Sequence, residues 1–236
     1  MKVTARDEWF PIGRDGATGL FRKVVPVLRR AVTGLRDPSV TIIAKRSKSP
    51  FRVLVSTVIS ARTKDDVTGA ASERLFALAS TPQEMSRLKV SAIEKAIYPA
   101  GFYRTKAKAI KSLCRMLVEE YDGEVPGDIE QLVMLPGVGR KTANLVLTLG
   151  FGKPGICVDT HVHRVCNRLG AVRTRHPSET EAALREVLPK RNWIEINDIL
   201  VMYGQAVCNP VSPWCSRCGI IEELSLIHIS EPTRPY

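Results

Sequence analysis

A lysine stands directly behind a glycine-rich turn in the run Leu135-Pro-Gly-Val-Gly-Arg-Lys-Thr-Ala143. In Pro136-Gly137-Val138-Gly139, two glycines permit positive φ and leave the backbone uncovered. Such a turn at a helix N-terminus directs N–H groups outward, where they can receive a phosphate oxygen. Contacts of that kind are largely indifferent to base sequence. Gly137, Val138, Gly139, Arg140 and Thr142 are therefore candidate DNA contacts. Lys141 has two readings: a surface cation that helps hold the backbone, or a nucleophile that attacks a sugar C1′ and forms a Schiff base. The second needs a partly neutral amine, which desolvation and a neighbouring cation such as Arg140 promote.

A nucleophilic lysine calls for a carboxylate, and Asp159 follows 18 residues downstream. A helix of about eight residues carries the chain roughly 12 Å away. The segment 150–158, if extended, covers about 25 Å and can return. Asp159 also precedes an amphipathic stretch, residues 160–169, as its N-cap. Capping and chemistry are compatible. His161 and His163 read as structural hydrogen-bonding residues. Cys208, Cys215 and Cys218, spaced C-x6-C-x2-C, suit three thiolate metal ligands, and zinc is compatible with that spacing. Cys114, Cys157 and Cys166 fall in helical or core patterns and read as buried apolar residues.

The elements that must position these residues are helical. Ile110, Leu113, Leu117 and Tyr121 recur at spacings of three and four, with Cys114 and Val118 beside them. Val162, Val165, Cys166 and Leu169 do the same, with Gly170 as a C-cap. Ser178 and Glu181 read as a capping box. The β-branched runs VTIIA and FRVLVSTVIS are ambiguous, and the second is assigned to a buried helix. Turn signals divide the chain into about ten short helices, an all-α protein.

Lys and Arg number 35 against 24 Asp and Glu, a formal net charge of +11. That surplus suits a polyanionic partner, nucleic acid before anionic membrane. No apolar stretch approaches the roughly 18–20 residues of a membrane span. The charged N-terminus lacks the apolar core of a signal peptide, so an intracellular protein, in a prokaryotic cytoplasm at the nucleoid, is expected.

The strings ISARTKD, EVPGDIEQLVMLPGVGRKTANLVL, ICVDTHVHRVCNRLG and the cysteine spacing resemble endonuclease III, of the helix-hairpin-helix glycosylase superfamily, in order from about Pro50 to Glu223. The resemblance implies two helical domains with a DNA-binding groove between them. One is a six-helix domain over 43–153 that ends in the helix-hairpin-helix. The other combines residues 1–42 with a C-terminal lobe over 154–223. Lys141 then matches the Schiff-base lysine and Asp159 the catalytic aspartate, which either activates the lysine or stabilises the cationic sugar. The implied reaction removes an oxidised pyrimidine flipped out of duplex DNA and cuts the strand by β-elimination. Its implied partner is double-stranded DNA with damaged bases or abasic sites, bound by a monomer. A monofunctional adenine or mismatch glycosylase is the first alternative, against which Lys141 argues. A non-catalytic helix-hairpin-helix DNA-binding protein is the second.

Many relatives carry Gln where Arg62 stands, a residue placed to probe the helix near the flipped base. An arginine can fill that gap or serve as one more phosphate contact. The family binds a [4Fe–4S] cluster through four cysteines, and the fourth position is Leu224 here. Residues 224–234 translate a transposase adapter used in sequencing libraries. The native frame is therefore expected to end near Glu223, with residues 224–236 a non-native tail. No role is read for the first twenty or so residues.

Overall fold

The computed structural model describes residues 7–223; Leu224 and the adapter-like tail lie outside the described residues. Two compact units form: residues 37–155, and the segment up to Arg36 together with that from Ile156 onward. Twelve α-helices and no strand occur among the described residues. None of those helices is long and apolar enough to cross a membrane.

The terminal segments supply α1 (Gly13–Ala31) to their unit. Residues 37–155 contain α2 (Ser39–Ser47), α3 (Pro50–Ser60), α4 (Asp65–Leu78), α5 (Pro82–Arg87), α6 (Val90–Ile97), α7 (Tyr103–Glu120), α8 (Ile129–Met134) and α9 (Arg140–Leu145). That is eight α-helices rather than the expected six, and the unit starts at Asp37 rather than near residue 43. The reason for the earlier start is local. The Asp65 carboxylate accepts from the Ser39 N–H and hydroxyl, at 2.9 Å each, and joins the start of α2 to the start of α4.

α3 is the centre of this unit. Ser49 caps it, accepting from the Arg52 N–H, and Pro50 occupies the first turn, where a missing N–H costs nothing. Val53, Leu54, Val55, Thr57, Val58 and Ile59 are all buried, so the helix is apolar around its whole circumference. That explains why its β-branched run carries no clear period. α3 packs against α2, α4, α7 and α9. α7 contributes Ile110, Leu113, Cys114 and Leu117 to the same interior, and burial pushes the Cys114 thiol up to about 12.

The other unit is completed by α10 (Thr160–Arg168), α11 (Pro177–Val187) and α12 (Ile196–Ala206). α1 buries Leu20, Phe21, Val24, Val25 and Leu28 and packs against α11 and α12. The Trp193 indole donates to the Leu188 carbonyl at 2.9 Å, which satisfies its N–H inside the core. Gly170 follows α10 at φ +69°, the C-terminal role expected of it. The expected capping box is absent. Pro177 starts α11, so Ser178 lies inside the first turn, and the Glu181 carboxylate pairs with Arg185 at 3.0 Å. Proline's fixed φ moved the start one residue ahead of the serine.

Leu54→Ala removes side-chain volume from a fully buried site. It is expected to lower the unfolding free energy by about 2–5 kcal/mol, measured by urea denaturation followed by circular dichroism.

Candidate nucleic-acid interface and catalytic residues

The hairpin is built from its ends inward. Asp128 caps α8, its Oδ1 accepting from the Glu130 and Gln131 N–H groups at 2.9 and 3.2 Å. α8 stops at Met134, and the Val138 N–H donates to the Leu135 carbonyl at 3.1 Å across the turn. Gly137 adopts φ +79°, and a Cβ there would lie 3.0 Å from the Ala109 Cβ of α7. Conformation and space both require glycine at this position. Gly139 differs: it is extended, and a Cβ would meet nothing within 4 Å. It is the N-cap of α9 and brings no side chain to cover the helix start.

Val138 is buried and anchors the connection, while Gly137, Gly139, Arg140 and Lys141 are exposed and Thr142 is half-buried. Ala143, Asn144 and Leu145 turn inward, and α9 continues as a π-helical turn, Val146–Gly150. The chain then doubles back, since Lys153 donates from its side chain to the Gly127 carbonyl and from its backbone to Leu147. Lys141 thus starts the second helix of the hairpin, on its solvent side.

Arg62 lies in the same unit, on the loop between α3 and α4. It is exposed, has φ +52°, and its guanidinium sits 5.4 Å from the centre of the Phe102 ring. Phe102, itself 62% exposed with φ +56°, was not singled out from sequence. The Gly-Phe-Tyr step ahead of the amphipathic α7 was the available signal. Lys106 was missed too. It occupies the apolar face of α7, four positions before Ile110, where a lysine is out of place.

Asp159 belongs to the other unit. It caps α10, with Oδ1 accepting from the His161 and Val162 N–H groups at 2.9 Å each, and it is half-buried. His161 contacts Arg164 (3.1 Å), and His163 contacts the Thr180 hydroxyl (2.7 Å).

Cys208, Cys215 and Cys218 are free thiols that line one pocket with Val165, Arg168 and Tyr203. Arg168 donates to the Cys208 sulfur at 3.2 Å, and the Tyr203 hydroxyl to the Cys218 sulfur at 3.1 Å. Burial first, then the bond to Cys218, holds the Tyr203 phenol well above its usual range, so it remains a donor. Donors aimed at sulfur suit thiolate ligands. Yet among the described residues no three His, Cys, Asp or Glu side chains converge closely enough to hold a metal ion. Cys215 is exposed on a single 3₁₀ turn, while Cys208 and Cys218 are half-buried. The residues present therefore fit a cluster only in part. Cys114, Cys157 and Cys166 are buried, as expected of core residues.

Residues 55–190 match the family model of the HhH-GPD superfamily of base excision DNA repair proteins. An endonuclease III of Thermotoga maritima is 50% identical over 73% of this chain and 81% of its own length. An endonuclease III homologue of Arabidopsis chloroplasts is 46% identical over 73% of this chain, which spans 47% of that longer protein. Among solved structures, a trapped covalent intermediate of endonuclease III with DNA aligns with a TM-score of 0.75 at 34% identity. It covers 86% of this chain and 95% of that one.

Asp159 has a structural role as the cap of α10, which substitution isolates. Asp159→Asn keeps a capping oxygen and is expected to leave the melting temperature unchanged. Asp159→Ala is expected to cost about 1 kcal/mol of stability. Thermal melts of both variants beside the wild-type chain read the difference.

Proposed function

The chain belongs to the endonuclease III family of the HhH-GPD superfamily, base excision DNA glycosylases, and on that premise we propose that it removes oxidised pyrimidines and then cuts the abasic strand. The observation that carries this reading is Lys141, exposed at the start of the hairpin's second helix, two residues after Gly139, an N-cap that brings no side chain. A phosphate held at the hairpin backbone would bring the sugar to the lysine, and the bound DNA would supply the desolvation. The solved relative trapped covalently on DNA supports a nucleophile in this family, as the net charge of +11 supports the polyanion.

In the proposed reaction, the Lys141 Nζ bonds to C1′ as the C1′–N bond breaks. The base leaves with that electron pair and takes up a proton. The ring C1′–O4′ bond then opens, O4′ is protonated, and a Schiff base forms. Removal of a C2′ proton expels the phosphate at C3′, and water hydrolyses the imine to release the lysine. Asp159 is assigned either to accept the lysine proton or to offset the developing positive charge on the sugar. Arg62, with Phe102 beneath it, is assigned to the space left by the flipped base. We place the protein as a monomer on nucleoid DNA. The cysteine loop is assigned to a [4Fe–4S] cluster, with Cys208, Cys215 and Cys218 as the three ligands present; the fourth position of the family pattern is Leu224, which has no donor atom. No step of the reaction is routed through that cluster.

Borohydride is expected to trap a covalent adduct between the wild-type chain and abasic duplex DNA, and Lys141→Ala to give none. Failure of the wild type to trap would leave a monofunctional glycosylase or a binding protein. Asp159→Asn is expected to slow strand cleavage on the order of 10²–10⁴-fold, measured in single-turnover nicking assays. For the cysteine loop, Leu224→Cys is expected to raise bound iron and acid-labile sulfide above those of the present chain. Equal contents in the two would remove position 224 from the ligand set.

A further inference from the structure

Lys106 lies at the start of α7 and is 7% exposed. Its Nζ donates to the Ile59 carbonyl at 2.6 Å, the Ala61 carbonyl at 2.5 Å and the Thr63 hydroxyl at 2.8 Å. Three acceptors meet the three protons of one ammonium. All belong to the segment that ends α3 and carries Arg62. The last carbonyls of a helix have no intrahelical partner and form the negative end of its dipole, so a buried cation is solvated there by neutral groups. The burial still has a cost: it pushes the ammonium down to about 8. An apolar residue on this face of α7 would avoid that cost but leave the Ile59 and Ala61 carbonyls without this donor.

The other side of the loop is held as well. The Thr63 hydroxyl accepts from the Gly101 N–H at 3.1 Å. A Cβ on Gly101 would lie 2.3 Å from the Arg62 carbonyl oxygen, so this backbone approach admits only glycine. Between these contacts Arg62 stays at φ +52°, a region costly for a side-chain-bearing residue. One turn along α7 from Lys106, Ala109 abuts Gly137 of the hairpin. The first turns of α7 therefore set both the Arg62 loop and the hairpin turn.

We propose that Lys106 is a positioning residue for damage recognition: its ammonium locks residues 59–63 so that Arg62 is presented to the gap in the DNA helix. The inference rests on the role assigned above to Arg62. Its test uses the full chain and a duplex with a tetrahydrofuran abasic analogue opposite 2-aminopurine, whose fluorescence reports side-chain insertion without catalysis. Arg62→Ala, Lys106→Met and Gly101→Ala are each expected to lose most of the fluorescence change and to bind the abasic duplex about tenfold more weakly. The Lys106→Met/Arg62→Ala double variant is expected to lose no more than Arg62→Ala alone.

A full signal in folded Lys106→Met, or additive losses in the double variant, overturns the proposal. If circular dichroism shows Lys106→Met unfolded, Gly101→Ala decides: it moves the loop with the lysine intact, and a full signal from it overturns the proposal. A full signal in Arg62→Ala overturns the reading of Arg62 and this proposal together. Loss in Arg62→Ala with retention in folded Lys106→Met overturns this proposal alone.

Discussion

An α-helix leaves four N–H groups at its start and four carbonyls at its end without intrahelical partners. A protein made of short helices has many such ends, and here they carry the candidate chemistry. Lys141 follows the start of α9, where Gly139 adds no cap. Asp159 is the cap of α10. Arg62 follows the end of α3, whose carbonyls are taken by the buried Lys106. The last two ends are completed differently, one by a carboxylate and one by a cation.

These ends are held in place by the apolar packing between them. α3 is buried on all sides, so neither its position nor that of its last turn can shift without disturbing α2, α4, α7 and α9. In the unit formed by the terminal segments, α1, α11 and α12 enclose Phe21, Leu28 and Tyr203. The exposed ion pairs there, Arg14 with Glu186 and Arg29 with Glu195, add at most about 1 kcal/mol each.

Much of this was legible in the residues. α7 shows its period, Gly170 its left-handed turn, and the hairpin its two glycines, because each depends on neighbours a few positions apart. The family resemblance rested on strings of the same local kind. What sequence did not disclose depends on partners far along the chain. Ser178 with Glu181 satisfies the spacing of a capping box, but Pro177 starts the helix earlier and Arg185 takes the glutamate. The π-helical turn after α9 leaves no mark in composition. Lys106 reads as one more basic residue until its acceptors, 43 to 47 positions away, are known. Cys215 carries the right spacing for a metal ligand, but spacing does not make three thiols converge.

The division of the chain has a consequence for its biosynthesis. α1 packs against helices from the far end of the sequence; Arg14 and Glu186 pair across 172 positions. At about 5–20 residues per second, roughly 10–30 s separate the synthesis of those partners. Throughout that interval the ribosome has released Leu20, Phe21, Val24 and Leu28 with nothing yet made to cover them. The intervening unit, residues 37–155, lies wholly within the part of the chain made during that interval. The nascent chain thus carries an amphipathic helix whose apolar face stays uncovered until the last helices are made.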